Sequence, residues 1–276
     1  MRDIRLNTLP ARLPPRPVDC NKGDFGAVAV IGGAPGMAGA PLLAGRAALL
    51  CGAGRVYAGV LDERIGLDPA TPELMVTRPA SLPPLAQPAC LVAGPGLGQS
   101  AAARTVLQAV LSVEHPLLLD ADALNLIATD PTLREQVRAR SAPTVLTPHP
   151  GEAGRLLGVS STEVQSDRPG SVLRLSEAFH AVVVLKGAGT LVKAPEAMVW
   201  RNTSGNPGMA APGMGDVLSG IIAALIAQGL AAEAAAVAGV WLHGAAADMA
   251  VDEGIGPRGL TASELLPRAR RLLNAT

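Results

Sequence analysis

Short apolar runs recur along this chain, and each is followed by a turn rich in Gly, Pro or Asp and by a longer stretch rich in Ala and Leu. This alternation predicts βα units. The runs are apolar at consecutive positions rather than at alternate ones, which is typical of strands buried on both faces of a parallel sheet. The predicted strand runs, which end in these turns, lie within residues 27–33, 55–61, 89–96, 116–125, 143–152 and 181–190.

Helical patterns fill the intervals between these runs, and the last third of the chain is predicted to be mostly helical from Asp216 onward. The intervening helices are predicted within residues 41–50, 101–111, 132–140, 152–157 and 172–179. No internal repeat or low-complexity linker divides the sequence. We therefore predict an N-terminal lead segment over residues 1–21 and one α/β domain over residues 22–276, a three-layer α/β/α fold whose central sheet is mostly parallel and doubly wound.

Charge and composition exclude several classes of partner. The 23 basic residues balance 23 acidic ones, so the chain carries no electrostatic footprint for nucleic acid or for an anionic membrane. Aromatic residues make up only 2% of the chain, too few for the stacking surfaces of many RNA-binding folds. A small-molecule substrate is therefore the expectation.

The sequence also indicates a cytoplasmic location. The lead segment is charged and rich in Pro, without the apolar core of a signal peptide. The uncharged run 25–45 is as long as a membrane span, but its six Gly and two Pro divide it into a strand, a loop and the start of a helix. The three cysteines follow neither a disulfide framework nor a metal-ligand spacing, as expected in a reducing compartment.

Two glycine-rich turns follow predicted strands, at residues 32–41 and 93–98. Their glycines would let backbone amides approach a phosphate closely. Neither turn matches the Rossmann fingerprint or the Walker A sequence. Tight turns that need positive φ angles would explain either of them equally well.

The segment 202–229 carries a more specific signal. Within it, Gly213, Met214, Gly215 and Asp216 open an uncharged helix, so unpaired backbone N–H groups and the positive end of the helix dipole converge beside one carboxylate. This arrangement can stabilise the charge of a transferring phosphoryl group and can offer a base to the accepting hydroxyl. The alternative for Asp216 is an ordinary helix N-cap, but a cap does not need glycine on both sides.

Lysine is rare in this chain, since only three of the 23 basic residues are Lys. Lys186 ends a predicted buried strand and begins the sequence KGAGT. At that position its ammonium group could reach a nucleotide phosphate while Thr190 and backbone amides hold the rest of the nucleotide. The alternative is a solvated strand end.

Further polar residues follow two other strands. His149 lies in a turn flanked by Pro, and Glu152 follows it as an acid in the first turn of a helix, where a capping role is the alternative. Asp120, Asp122 and Asn125 could bind a hydrated Mg²⁺ or the hydroxyls of a ligand. The remaining histidines lack a metal-ligand partner and are predicted to pack or to face solvent: His115, His180 and His243.

With these residues assembled, the chain resembles the ADP- or ATP-dependent NAD(P)H-hydrate dehydratases, a branch of the ribokinase-like superfamily. The resemblance extends over roughly residues 22–250 and rests on the ordered motifs KGDFGAVAVIGGAPGMAGAPLLAGRAAL, AGPGLG, LDADALN, LTPHPGEAGRLLG, VVVLKGAGT and NPGMA..GMGDVLSGIIAALIAQG. It implies a repair enzyme of the ribokinase-like fold that dehydrates the S epimer of NADHX and NADPHX back to NADH and NADPH. Bacterial members are similar in converting ADP to AMP and phosphate, with Mg²⁺, whereas eukaryotic members use ATP.

The resemblance also implies residue roles. Asp216 would be the catalytic base, and Glu152 would be a candidate metal ligand. The hydrate pocket would be formed by Ala40, Gly94, Gly96, His149 and Asp216. The adenine nucleotide would be held by Lys186, Gly187, Ala188, Gly189, Thr190 and Gly215, and the anion loop would be Gly213, Met214 and Gly215. Two residues depart from the superfamily pattern, Met214 in place of Thr or Ala and Pro212 in place of Gly.

The resemblance carries expectations about partners as well. Many members have an additional N-terminal epimerase domain, for which this chain has no room, so we expect a separate NAD(P)H-hydrate epimerase as functional partner and a homo-oligomeric enzyme. Two other functions stay open at this point. One is a sugar, hydroxymethylpyrimidine or thiazole kinase on the same fold, and the other is a non-catalytic nucleotide sensor that would not need Asp216.

Overall fold

One ten-stranded sheet forms the centre of the molecule. The computed structural model describes residues 1–85 and 89–275. Its strands are β1 (Arg2–Ile4), β2 (Ala27–Gly32), β3 (Arg55–Val60), β4 (Met75–Thr77), β5 (Ala89–Ala93), β6 (Leu117–Leu119), β7 (Thr144–Leu146), β8 (Val182–Leu185), β9 (Leu191–Lys193) and β10 (Val199–Asn202).

The strand order is β1-β10-β9-β8-β7-β6-β5-β2-β3-β4. Every neighbouring pair is parallel except the two pairs that involve β9. Because the chain moves from β2 to β3 in one direction and continues from β5 in the other, the order reverses between β2 and β5. In a doubly wound sheet, the crevice at the carboxyl ends of such strands is the usual place for a ligand.

Helices cover both faces of the sheet. They are α1 (Gly39–Leu50), α2 (Ala101–Leu111), α3 (Ala121–Thr129), α4 (Pro131–Arg138), α5 (Pro150–Leu157), α6 (Ser161–Ser166), α7 (Arg168–Phe179), α8 (Met214–Ala227), α9 (Ala232–Asp252) and α10 (Ala262–Ala275). By length and composition α9 could cross a membrane, but most of it is buried inside the protein, where it packs against α8 and α10.

Alternate residues of the central strands enter two separate hydrophobic cores. In β2, Val28 and Val30 pack with α1, α8, α9 and α10, whereas Ala29 and Ile31 pack with the helices between α2 and α7 on the opposite face. The consecutive apolar residues of the sequence are explained by this arrangement, because both faces of the strand are buried. The predicted three-layer, mostly parallel α/β/α fold is confirmed.

The boundaries of individual elements differ from the prediction in several places. Each predicted run contains a strand, but two runs extend into helices. The run 116–125 was wrong beyond residue 119, because Asp120 caps a new helix, α3, and its side chain accepts a hydrogen bond from the Ala121 N–H. The run 143–152 was wrong beyond residue 146, since α5 begins at Pro150. The short elements β1, β4, β9, β10 and α6 were not predicted. Helix α2 has the bounds that the sequence predicts.

The lead segment contributes to the sheet. Its residues Arg2–Ile4 pair in parallel with β10, and Ile4 is buried in the same core as α8. The guanidinium of Arg2 lies 5.1 Å from the ring centre of Trp200, and the carboxylate of Asp3 accepts a hydrogen bond of 2.8 Å from Arg201. Residues 1–4 are thus held on the sheet by backbone pairing with β10, by the ion pair of Asp3 and Arg201, and by the hydrophobic packing of Ile4.

Candidate functional site

The two glycine-rich loops lie side by side at the carboxyl ends of β2 and β5. The Gly33 N–H donates to the Pro95 carbonyl at 3.0 Å, and the Ala34 N–H donates to the Gly96 carbonyl at 2.7 Å. A Cβ at Gly94 (φ 124°) would lie 1.8 Å from the Asp120 carbonyl oxygen. Gly94 must therefore be glycine for the loop to pack against the end of β6.

Ala40 lies beside these two glycine-rich loops. A Cβ at Gly96 would lie 3.3 Å from the Cβ of Ala40 and 2.5 Å from the Met37 carbonyl oxygen. The structure thus brings Ala40, Gly94 and Gly96 together at the strand-order reversal, where the first turn of α1 begins.

Helix α8 begins without a side-chain cap. Its N-cap is Gly213 (φ 84°), and a Cβ there would lie 2.7 Å from the Cδ1 of Leu43. Since no side chain caps this end, its first N–H groups are available to an anion. Asp216 lies in the first turn of the helix rather than at the N-cap, so the capping alternative for it was wrong. Met214 is only 5% exposed, which shows that its side chain fills the core behind the loop.

The Asp216 carboxyl has an unusual proton affinity. Burial raises its pKa to about 7, the negative charge of Asp120 adds to the rise, and the ammonium of Lys186 opposes it. At neutral pH such a group exists in both forms, which is the property that a general base requires.

Beside Asp216 lies a buried ion pair. The Nζ of Lys186 donates to Oδ1 of Asp120 at 2.7 Å, and Ser219 Oγ donates to Oδ2 of the same carboxylate at 2.8 Å. Burial alone would raise the pKa of Asp120, but Lys186 and these hydrogen bonds outweigh it and the pKa is lowered. A Cβ at Gly215 would lie 3.2 Å from Lys186 Nζ, so the anion loop rests directly on the pair.

His149 and Glu152 begin helix α5 together. His149 is the N-cap, and its Nδ1 accepts from the Gly151 N–H at 3.0 Å, while Glu152 Oε2 accepts from the His149 backbone N–H at 2.8 Å. The capping alternative for Glu152 is therefore what the structure has. Its pKa is raised, mainly by burial, and that of His149 is lowered, first by burial and then by the charge of Lys186. The half-exposed imidazole of His149 is thus neutral and faces the same edge of the sheet.

The loop 187–190 connects β8 to the antiparallel strand β9 and is largely exposed. Gly187 (φ 133°) and Gly189 (φ 64°) adopt backbone conformations that favour glycine. Thr190 Oγ1 donates to the Gly187 carbonyl at 2.8 Å, which closes the turn. The guanidinium of Arg168 donates to the carbonyls of Leu185 and Lys186 at the base of this loop.

Within the LDADALN motif, Asp122 and Asn125 contact each other, since the Asn125 side-chain N–H donates to Asp122 Oδ1 at 3.4 Å. Asp120 holds Lys186, whereas Asp122 accepts a hydrogen bond from the Gly98 N–H at 2.8 Å and Asn125 accepts one from Arg155 at 2.9 Å. A shared Mg²⁺ or hydroxyl site at these residues stays a prediction, in which Asp120 would take part only while it also holds Lys186.

Of the remaining histidines, His243 lies closest to the site. Burial lowers its pKa to about 4 although a hydrogen bond to the Met214 backbone opposes the shift, so it packs as a neutral ring behind the anion loop. His180 ends α7, and His115 lies before β6, where its carbonyl accepts a hydrogen bond from Arg140.

Several residues of the site were not predicted from the sequence. Ser219 lies one helical turn after Asp216 and is fully buried. Arg168 begins α7, between the motif that ends at Gly158 and the motif that begins at Val182. Asp248 of α9 accepts from the Gly205 N–H at 2.7 Å, which fastens the loop that leads to Gly213. The spacing of Ser219 from Asp216 was the one available signal, since residues three apart on a helix share a face.

The carboxylates of the site are not grouped as the ligands of a metal ion usually are. Within residues 1–85 and 89–275, no three His, Cys, Asp or Glu side chains are arranged to hold one. Glu152 is buried, and its Oε2 lies 3.9 Å from Lys186 Nζ. A magnesium ion at this edge would therefore need oxygen ligands from a bound phosphate and from water, which is a coordination that Mg²⁺ commonly adopts.

The fold has three layers, α/β/α, and the uncapped N-terminus of α8 presents backbone amides and the Asp216 carboxylate to the glycine-rich loops. Together these features define the ribokinase-like class. The model of the NAD(P)H-hydrate dehydratase family matches residues 28–268. The chain belongs to this family.

Individual relatives agree with the family match. The ADP-dependent (S)-NAD(P)H-hydrate dehydratase of Neisseria meningitidis is 44% identical over 94% of this chain and 88% of its own length. The bifunctional NAD(P)H-hydrate repair enzyme of Coxiella burnetii is 47% identical over 95% of this chain but 53% of its own length. The chain thus spans about half the length of the bifunctional relatives.

A solved structure of the same family has a similar fold. The ADP/ATP-dependent NAD(P)H-hydrate dehydratase of Bacillus subtilis, co-crystallised with ATP and Mg²⁺, superposes with a TM-score of 0.82 at 30% identity, over 96% of this chain and 94% of the other. A hydroxyethylthiazole kinase of Pyrococcus horikoshii superposes with a TM-score of 0.61 at 14% identity, which shows a shared fold alone.

Proposed function

We propose that this chain dehydrates the S epimer of NADHX and NADPHX to NADH and NADPH and converts ADP to AMP and phosphate in the same cycle. The observation that carries the proposal is the Asp216 carboxyl, with a pKa raised to about 7, in the first turn of a helix that lacks a side-chain cap. Membership in the dehydratase family supports the choice of substrate.

In the proposed mechanism, the hydrate lies against Ala40, Gly94, Gly96 and His149, with its ring hydroxyl at Asp216. Asp216 takes the hydroxyl proton as the oxygen attacks the β-phosphorus of ADP, and the bond to the AMP oxygen breaks. The amides of residues 213–215 stabilise the negative charge of the group in transfer. The carbon–oxygen bond to the ring then breaks, phosphate leaves, and loss of a proton from the neighbouring ring carbon restores the double bond.

In this proposal the nucleotide is held by the loop 187–190 and by Gly215. Lys186 supports it indirectly, because its ammonium group lies under Gly215 and is bound to Asp120. A magnesium ion bound with the nucleotide would neutralise phosphate charge, and Glu152 is the carboxylate near which it would lie. We also propose a cytoplasmic location, a homo-oligomer and a separate epimerase as functional partner.

The products distinguish this function from its alternatives. We expect one AMP and one phosphate for each hydrate consumed, with the absorbance of the reduced nicotinamide rising in step, in a coupled assay with ADP and then with ATP. A phosphorylated product that persists would identify a kinase instead. Nucleotide binding without any turnover of the hydrate would identify a sensor.

The pH dependence of turnover tests the base directly. We expect kcat to fall as the pH falls below about 7, because Asp216 accepts a proton only when it is ionised. Asp120→Asn removes a negative charge that raises the pKa of Asp216, so it is expected to move this limb of the pH–rate profile to lower pH. An acid limb that keeps its position in Asp120→Asn would contradict the assignment.

A further inference from the structure

The charge of Lys186 is already compensated inside the protein. Its Nζ lies 2.7 Å from Asp120 and 3.9 Å from Glu152. Burial alone would lower the pKa of the ammonium, but these two carboxylates outweigh it and the pKa is raised. Because these carboxylates compensate its positive charge, the ammonium group attracts a further anion only weakly. A nucleotide brings several negative charges to the same edge of the sheet and therefore needs another cation.

A second cation lies at the base of the loop 187–190. Arg168 Nη2 donates to the Leu185 carbonyl at 3.0 Å, and its Nη1 donates to the Lys186 carbonyl at 3.2 Å and to the side chain of Gln165 at 3.1 Å. A Cβ at Gly187 would lie 3.0 Å from Nη1. Glycine at this position therefore lets the guanidinium lie directly against the loop.

The charge of Arg168 is not compensated by the described part of the chain. Its hydrogen-bond partners there are two carbonyls and an amide, all neutral. Burial lowers the pKa of the guanidinium, and no carboxylate opposes the shift. The Nε–H and one Nη2–H have no acceptor among the described residues. A partly buried cation without a counter-ion is costly in the free protein, and an anionic ligand removes that cost.

We propose that Arg168 contacts the phosphate groups of the bound nucleotide and is the principal side-chain cation of the nucleotide site. This inference rests on the proposed function, since it takes an adenine nucleotide as the ligand of the loop 187–190. The planar guanidinium suits the task because it binds two carbonyls with one edge and keeps donors on its other atoms for phosphate oxygens. The role of Lys186 is then to support the anion loop by its close packing under Gly215 rather than to bind phosphate.

The test is a set of binding measurements that do not need turnover. Calorimetry would give the Kd of ADP, AMP and adenosine for the wild type, Arg168→Gln, Arg168→Lys and the control Arg174→Gln. Arg174 is an exposed arginine on the same helix, so the control removes the same charge from the protein. We expect Arg168→Gln to weaken ADP binding roughly 10- to 100-fold and to leave adenosine unchanged. Arg168→Lys is expected to retain part of the ADP affinity because it keeps the charge.

Three results would overturn the inference. Equal ADP affinity in Arg168→Gln and Arg174→Gln would show that the guanidinium does not contact phosphate. Equal loss of ADP and adenosine in Arg168→Gln would show that it only shapes the loop. A folded wild type that does not bind ADP would reject the proposed function together with this inference, whereas the first two results would leave that function intact.

Discussion

Replacing Asp216 by Asn is expected to lower kcat by roughly 10²- to 10⁴-fold, with ADP affinity nearly unchanged. The amide of Asn keeps the shape of the first turn of α8 but cannot accept the proton of the ring hydroxyl. Steady-state kinetics on hydrated NADH together with ADP calorimetry would measure both effects. The control is Asp252→Asn, which removes the same charge from an exposed position at the end of α9. A folded Asp216→Asn enzyme with near-normal kcat would refute the role of the carboxylate.

The same substitution is expected to stabilise the protein above neutral pH. The pKa of Asp216 in the folded protein, about 7, lies above its ordinary value of 3.8, so this group lowers the free energy of unfolding as the pH rises from about 4 to about 7. At pH 8 the variant should therefore exceed the wild type by on the order of 1–3 kcal/mol, and near pH 4 the two should be similar. Urea unfolding at both pH values would measure this, and an equal difference at both would disagree with it.

Lys186→Met is expected to reduce the free energy of unfolding by roughly 3–5 kcal/mol, because it leaves the carboxylate of Asp120 buried without its counter-ion. Asp120 is 1% exposed, so its carboxylate is poorly hydrated and depends on the ammonium group for its charge compensation. Urea unfolding at pH 7 would measure the change. Lys22→Met is the matched control, since Lys22 is exposed.

The double variant Lys186→Met/Asp120→Asn separates lost pairing from lost packing. Its neutral amide can still accept from Ser219, so we expect it to recover much of the stability that Lys186→Met loses. If Lys186→Met were as stable as Lys22→Met, or if the double variant were no more stable than Lys186→Met, the buried pair would not have the proposed role.

The longer elements of the fold can be predicted from the sequence because burial and helix capping leave a clear pattern of residue types in them. Strands such as β2 and β5 are apolar at each position since both faces are covered, and α2 begins at a Ser100 cap. The short strands carry no such pattern. Lys193 lies in β9 and is buried, although a lysine in a three-residue segment indicates a loop. The boundary between β6 and α3 was missed because the sequence presents Asp120 and Asp122 as the polar end of the strand run, whereas Asp120 caps α3.

The site was predictable where a local motif creates it. The turn from Gly213 to Asp216 works through its own backbone, so its residues are adjacent in the sequence. The pair of Asp120 and Lys186 joins residues 66 apart, which directly follow β6 and β8. These strands are not neighbours in the sheet, and nothing in the spacing indicates that the two residues meet. For the same reason, the sequence alone suggests that Lys186 is an unpaired cation and that Arg168 is an ordinary surface residue.

The pairing of β1 with β10 has a practical consequence for where this chain can be shortened. The family match begins at residue 28, and the first predicted strand begins at residue 27, so an expression boundary chosen on either basis would discard Arg2–Ile4. The backbone groups of β10 would then form an open sheet edge next to Trp200, and open edges promote association between chains. An affinity tag is better fused after α10 than in place of the first residues.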